Sequence, residues 1–183
     1  MQQFLGGVQL ANNIQIHSYK NDEQSWLSLY KDDKFVGFVT SGPEISELTG
    51  SADGKWFAYF QKDPLHGVMQ FNVWKCDKNE AVSYMEFHTP LETSSASGIC
   101  FNYKRTHVIA LCEWNHVVVI DLMRLDAPTE FYIPNGCDEA RPQTVCSGID
   151  VNHVMWYGQD EYMRVIDLTT KHPTMFSVHL ELI

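Results

Sequence analysis

The chain has 183 residues, of which 44% are hydrophobic and 20% charged, proportions that exclude a disordered or collagen-like polymer. With 13 basic against 23 acidic residues the formal net charge is −10, so a basic footprint for nucleic acid is absent. No apolar run approaches the roughly 20 residues that a membrane-spanning helix needs, and the opening MQQFLGGVQLANNIQ lacks the basic start and apolar core of a secretory signal.

The chain reads as a succession of short strands. Residues 6–19, GGVQLANNIQIHSY, hold two apolar runs around a polar turn at Ala11–Asn13, and LSLYKDDKFVGFVT follows with two more. After the connection SGPE the same phrase returns as ISELTGSADGKWFAYF and FNVWKCDKNEAVSYMEF, with a turn at Ser51–Gly54. Beyond HTPLETSSAS it returns as SGICFNYKRTHVIALCE, turning at Asn102–Thr106, and VVVIDLMRLDAPTEFYI. Beyond PNGCDEARPQ come CSGIDVNHVMWYG, turning at Asn152–His153, and MRVIDLTTKHPTMFSVHL. Aromatic and β-branched residues dominate the apolar runs, which suits a pleated surface, while Pro, Ser and Gly gather in the connections. No long helical period occurs.

The apolar residue before the last turn of each copy is Tyr30, Trp74, Ile120 and Ile166, at spacings of 44, 46 and 46 residues. Each copy is therefore one four-stranded antiparallel meander, over residues 1–40, 41–88, 89–133 and 134–183. Such a sheet is unstable alone, because it cannot bury both faces. Stacking copies about an axis solves this, and the expectation is an all-β, β-propeller-type fold of about four blades in one propeller-like domain. A generic antiparallel sandwich or barrel is the alternative use of the same strands.

These units resemble WD-repeat propeller blades. SADGKWFAYF is similar to the first turn and second strand of such a blade, and VVVIDLMRLD and MRVIDLTTKH to a third strand with its closing aspartate, at Asp121 and Asp167. FNVWKCDKN keeps the tryptophan, Trp74, but has Lys75 in place of the aspartate, and LSLYKDDK has Lys31. No Gly-His pair precedes a first strand, so the resemblance is to a divergent member. Such propellers usually close with seven blades. Four copies imply part of a propeller, completed by another chain or by further sequence, with a closed ring of four and an open arc as alternatives.

The resemblance implies protein partners docking on propeller faces, within a larger intracellular complex. The expected function is a non-enzymatic protein–protein interaction scaffold. A narrower resemblance of DGKWFAYF and the blade at 97–122 is to propellers of the small-subunit ribosome-assembly machinery. The remaining alternative is a propeller enzyme or ligand-binding protein with a site at the central channel, where Asp150 or His153 could converge.

Catalytic patterns are scarce. No G-x-S-x-G, HExxH, GxxxxGK[ST] or GxGxxG occurs, and Gly6-Gly7 reads as backbone freedom near a strand. The five cysteines, Cys76, Cys100, Cys112, Cys137 and Cys146, form no CxxC pair. With no Asn-x-Ser/Thr site, they suggest a reducing compartment, cytoplasmic or nuclear. Eight histidines are scattered singly; His107 and His116 flank one hairpin, where they could meet with Cys112 or Glu113, or serve as surface imidazoles. No cofactor or metal is expected. Basic residues gather only at Lys104-Arg105 and Arg124, so no direct nucleic-acid contact and no membrane contact are expected either. Acidic pairs fall in turns, and those at Asp22-Glu23 and Asp138-Glu139 suit basic partners. Trp26 and Trp114 lie beside polar turns and are either contact residues for a protein partner or packing under a neighbouring blade. These six residues form the candidate interaction surface.

Overall fold

In the computed structural model the residues described are 1–76, 87–91, 96–102, 104–112, 116–125, 129–132, 142–147, 153–158, 163–167, 169–170 and 172–174. Among them no helix is long and apolar enough to cross a membrane. The strands are β1 (Gln3–Gln9), β2 (Ile14–Lys20), β3 (Ser25–Lys31), β4 (Lys34–Gly42), β5 (Ile45–Gly50), β6 (Trp56–Lys62), β7 (Met69–Lys75) and β8 (Phe87–Leu91). They are followed by β9 (Ala96–Phe101), β10 (His107–Cys112), β11 (His116–Asp121), β12 (Thr129–Tyr132), β13 (Pro142–Ser147), β14 (His153–Gly158), β15 (Met163–Asp167) and β16 (His172–Thr174). They form four separate four-stranded sheets, each with its strands side by side in chain order and every neighbouring pair antiparallel. The chain divides into two compact units, Met1–Ser94 with the first two sheets and Ser95–Ile183 with the last two.

The residues that mark the repeat occupy one position in the fold. Tyr30, Trp74, Ile120 and Ile166 are each the penultimate residue of the third strand of their sheet. Strand ends differ from the sequence reading in places. β4 runs to Gly42 and β8 to Leu91, past the expected limits at 40 and 88, because pairing with β3 and β7 continues. His153, read as part of a turn, opens β14, where it pairs with Asp167.

Local chemistry explains the turns. Asp32 and Asp33 both take left-handed backbone, φ +50° and +61°, between Lys31 and Lys34, which pair directly. This is the two-residue hairpin whose twist matches that of its strands, and Asp tolerates it well. Asp121 and Asp167 do what the closing aspartate suggests. The Met123 amide donates to Asp121 Oδ1 at 2.8 Å and the Thr169 amide to Asp167 Oδ1 at 2.7 Å, folding the chain back after the third strand. Hydrogen bonds from Thr169, its hydroxyl foremost, hold the Asp167 carboxyl below the usual carboxylate range.

In the first unit, the first sheet turns Ile14, Ile16, Leu27 and Leu29 onto the second, where Ile45, Phe57 and Tyr59 meet them, with Val8, Val39 and Trp74 at the margin. The half-buried Trp74 indole N–H donates to the hydroxyl of the buried Tyr59 at 3.1 Å, so the polar ends of both rings are partnered. Polar links tie the rims. The Ala11 amide donates to the Gly54 carbonyl at 2.9 Å. On the other side Gln61 accepts from the Thr40 hydroxyl at 3.1 Å and donates to the Ser41 carbonyl at 3.2 Å.

The third sheet, in the second unit, is apolar on both faces: all of Val108 to Cys112 and Val117 to Ile120 are buried. An unbroken apolar run marks a strand covered on both sides, whereas the alternation in β2 marks one covered face.

Gly54 carries φ +66°, and a Cβ there would lie 2.4 Å from the Ala11 nitrogen and 2.8 Å from the Leu10 carbonyl carbon, both backbone atoms. Gly54→Ala should therefore cost about 2–5 kcal/mol, combining left-handed strain with overpacking. Gly37→Ala, with nothing within 4 Å of its Cβ, should be neutral or slightly stabilising. Urea unfolding midpoints at constant m-value measure both; a loss below about 0.5 kcal/mol for Gly54→Ala would refute a close junction at this turn.

Candidate interaction surface

The alternation in β2 and β3 gives the first sheet two unlike faces. Ile14, Ile16, Leu27 and Leu29 point to the second sheet. The intervening positions carry His17, Tyr19, Trp26, Ser28 and Tyr30, with Tyr19 opposite Trp26 and His17 opposite Ser28. Phe4 of β1 pairs with Tyr19, and on β4 Phe35 pairs with Tyr30 and Phe38 with Ser28. The rings form a chain across all four strands. Phe4 lies 5.5 Å from His17 and 5.4 Å from Tyr19, and His17 lies 4.6 Å from Tyr30. Tyr19 stacks on Trp26 at 5.9 Å, Tyr30 meets Phe35 edge-on at 5.7 Å, and Phe35 meets Phe38 at 5.2 Å.

Phe4, Phe35 and Phe38 are 56%, 53% and 69% exposed. A contiguous apolar patch rimmed by polar groups marks an interaction site, whereas scattered single residues do not. The face holds a shallow depression of about 430 Å³ lined by Tyr19, Trp26, Ser28, Tyr30, Phe35 and Phe38, with uncharged polar residues completing its wall. On β1, a Cβ at Gly7 would come within 2.8 Å of the His17 ring.

Negative charge stands at both ends of β3 in the flanking turns. Asp22 and Glu23 are exposed in the turn whose backbone is held by Asn21, which accepts from the Glu23 and Gln24 amides at 2.9 and 2.8 Å. Asp22 also faces the N-terminal ammonium at 3.5 Å. At the other end Asp32 and Asp33 accept from Asn13 and Gln15, each at 3.0 Å.

Of the residues picked out from sequence, Trp26, Asp22 and Glu23 thus fall on or beside one surface. Trp26 is half-buried, on the face turned away from the second sheet. Trp114, Asp138 and Glu139 lie outside the described residues, as do Glu113 and Asp150. His107 and His116 do not meet. His107 pairs with Asp121 at one end of the hairpin and Leu111 with Val117 at the other, so the two histidines stand at opposite ends of strands roughly 16 Å long. Among the described residues no group of three potential metal ligands forms.

The reading of single residues missed His17, Tyr19, Tyr30, Phe35 and Phe38. For His17, Tyr19 and Tyr30 the signal was the alternation itself, aromatic or polar residues at one parity and Ile and Leu at the other; Phe35 and Phe38 differ in parity and share the face only because the β3–β4 register shifts between them.

No protein-family model and no curated protein matches the chain. Solved structures match in fold. The Dos1 propeller superposes with a TM-score of 0.70 at 14% identity, over 99% of this chain and 46% of that one. The β-propeller domain of Myceliophteria thermophila Cps50 (Swd1) gives 0.65 at 9% identity, over 98% and 59%. AztD of Citrobacter koseri gives 0.63 at 16% identity, over 94% and 46%. The fold is β-propeller-type, and the chain spans about half the length of the structures it matches.

The hydroxyls of Tyr19 and Tyr30 lie 3.4 Å apart, and that hydrogen bond, followed by desolvation, raises the Tyr19 pKa above its ordinary 10.0. The protonated phenol is favoured by folding. Its contribution to stability is therefore present below about pH 10 and is lost as pH rises through the raised value. Ultraviolet difference titration should show a late-ionising component from Tyr19 that moves back toward 10 in Tyr30→Phe; a titration unchanged by that substitution would show that the hydroxyl pair does not set it.

Proposed function

We propose that this chain is a non-enzymatic protein-interaction scaffold built from divergent WD-type blades, working as a subunit of a larger intracellular assembly. The observation that carries this reading is the aromatic face of the first sheet, which is apolar, exposed, free of charge and flanked by acidic turns. Rigid aromatic side chains lose little entropy on binding and supply most of the contact area of protein interfaces. The acidic turns steer basic partners and repel nucleic acid and anionic lipid. The repeated fold supports the same reading, since stacked blades present broad surfaces at little cost in sequence.

Quantitative co-purification with the tagged chain from its native cells tests this, counting every retained protein, a differently tagged copy of the chain included. At least one protein should be retained in near-stoichiometric amount and fall at least tenfold with Phe35→Ser/Phe38→Ser. Retention of nothing, or a partner set indifferent to that double substitution, would refute the reading.

A further inference from the structure

The aromatic face of the first sheet is hollow at one place, and a small residue makes it so. Ser28 lies between Trp26 and Tyr30 on β3 and opposite Phe38 on β4. Rings stand so closely around it that it is only 2% exposed, although it belongs to the outward face. Tyr19, Trp26, Tyr30, Phe35 and Phe38 line the resulting depression of about 430 Å³, a volume within the range of small-molecule sites. These rings do not share a plane. Tyr19 and Trp26 are nearly parallel, at 19°, whereas Phe35 stands at 69° to Tyr30 and at 67° to Phe38. A flat platform suits a planar ligand; rings at steep angles about a hollow suit a rounded one.

Charge narrows the choice of ligand. No residue lining the depression is charged. The lysines of the first sheet take the opposite parity, Lys20 and Lys31 following Tyr19 and Tyr30, and Lys34 pairing with Lys31. The acids gather in the turns at both ends of β3. Asp22 there meets the N-terminal ammonium, Glu23 is exposed, and Asp32 and Asp33 accept from the neutral amides of Asn13 and Gln15. Ring faces and a negative surround therefore converge on a hollow that holds no cation of its own. We infer that this depression binds a small organic cation whose charge is spread over N-methyl groups, a trimethylammonium alcohol of the choline type. Its rounded, weakly hydrated head enters readily among rings and gains cation–π attraction from them. A ligand that also carried a carboxylate would be repelled by the acidic turns. The inference goes beyond the scaffold reading, since it concerns a solute bound by the chain alone and needs no protein partner.

Titration of the purified, nitrogen-15-labelled chain with choline chloride, followed by NMR at the Trp26 indole N–H, tests this. The signal should shift and saturate with a Kd at or below about 1 mM. 3,3-Dimethylbutan-1-ol, which has the same shape but carbon in place of the charged nitrogen, should bind at least tenfold more weakly. Glycine betaine, which adds a carboxylate, should do the same. Phe35→Leu/Phe38→Leu keeps apolar side chains at two exposed positions and removes their rings, so it should raise the choline Kd at least tenfold. No saturable shift of Trp26 with choline, equal binding of the neutral alcohol, or a choline Kd indifferent to the leucine pair overturns the inference. If choline does not bind while proteins are still retained through Phe35 and Phe38, the docking surface stands and only the cation site falls.

Discussion

A four-stranded antiparallel sheet has two faces and no interior, so it holds its shape only when something covers at least one of them. In the first unit that requirement is met by laying Ile14, Ile16, Leu27 and Leu29 on Phe57 and Tyr59. Branched aliphatic chains fill the relief between flat rings, and fully burying each contributes about 1.5–3 kcal/mol. The other features of this unit follow from that junction. The backbone bond from Ala11 to Gly54 and the double role of Gln61 toward β4 sit at its rims, where they set the spacing of two sheets already drawn together. Gly54 has no side chain because the two backbones come too close for one.

The same junction gives the exposed aromatic surface its character. Strand alternation forces every residue between two inward aliphatic ones onto the opposite face, so packing Ile16, Leu27 and Leu29 inward places His17, Trp26, Ser28 and Tyr30 outward. A solvent-facing sheet would carry charged residues at these positions. The face instead carries rings, with its acids displaced to the turns at 22–23 and 32–33. Under the proposed function, that separation of apolar face from charged rim lets the centre supply contact area and the rim select partners by charge.

Much of the architecture was legible in the residues. The spacing of Tyr30, Trp74, Ile120 and Ile166 reports one structural position in four sheets. Asp121 and Asp167 announce the turns they close, and the contrast between IQIHSY and VIALC distinguishes a strand with one covered face from a strand with two. What could not be read is which residues meet across a strand's length. His107 and His116 are near in sequence and flank one hairpin, yet antiparallel pairing sends them to opposite ends. Trp26 was visible as an aromatic beside an acidic turn, but not as one ring of a set that includes Phe4, Phe35 and Phe38, because those lie on strands joined to it only by cross-strand register.

The sequence by itself determined the repeating unit, its strands and its turns, because these depend on local backbone preference and on a side-chain period of two. In the first sheet the same period also determined two chemically distinct faces. Which face would be covered, and by what, was decided only by tertiary structure. Stacking order sets that choice, and in a stack of similar sheets the face without a neighbour is identified by position, since its residues follow the same pattern as the covered ones.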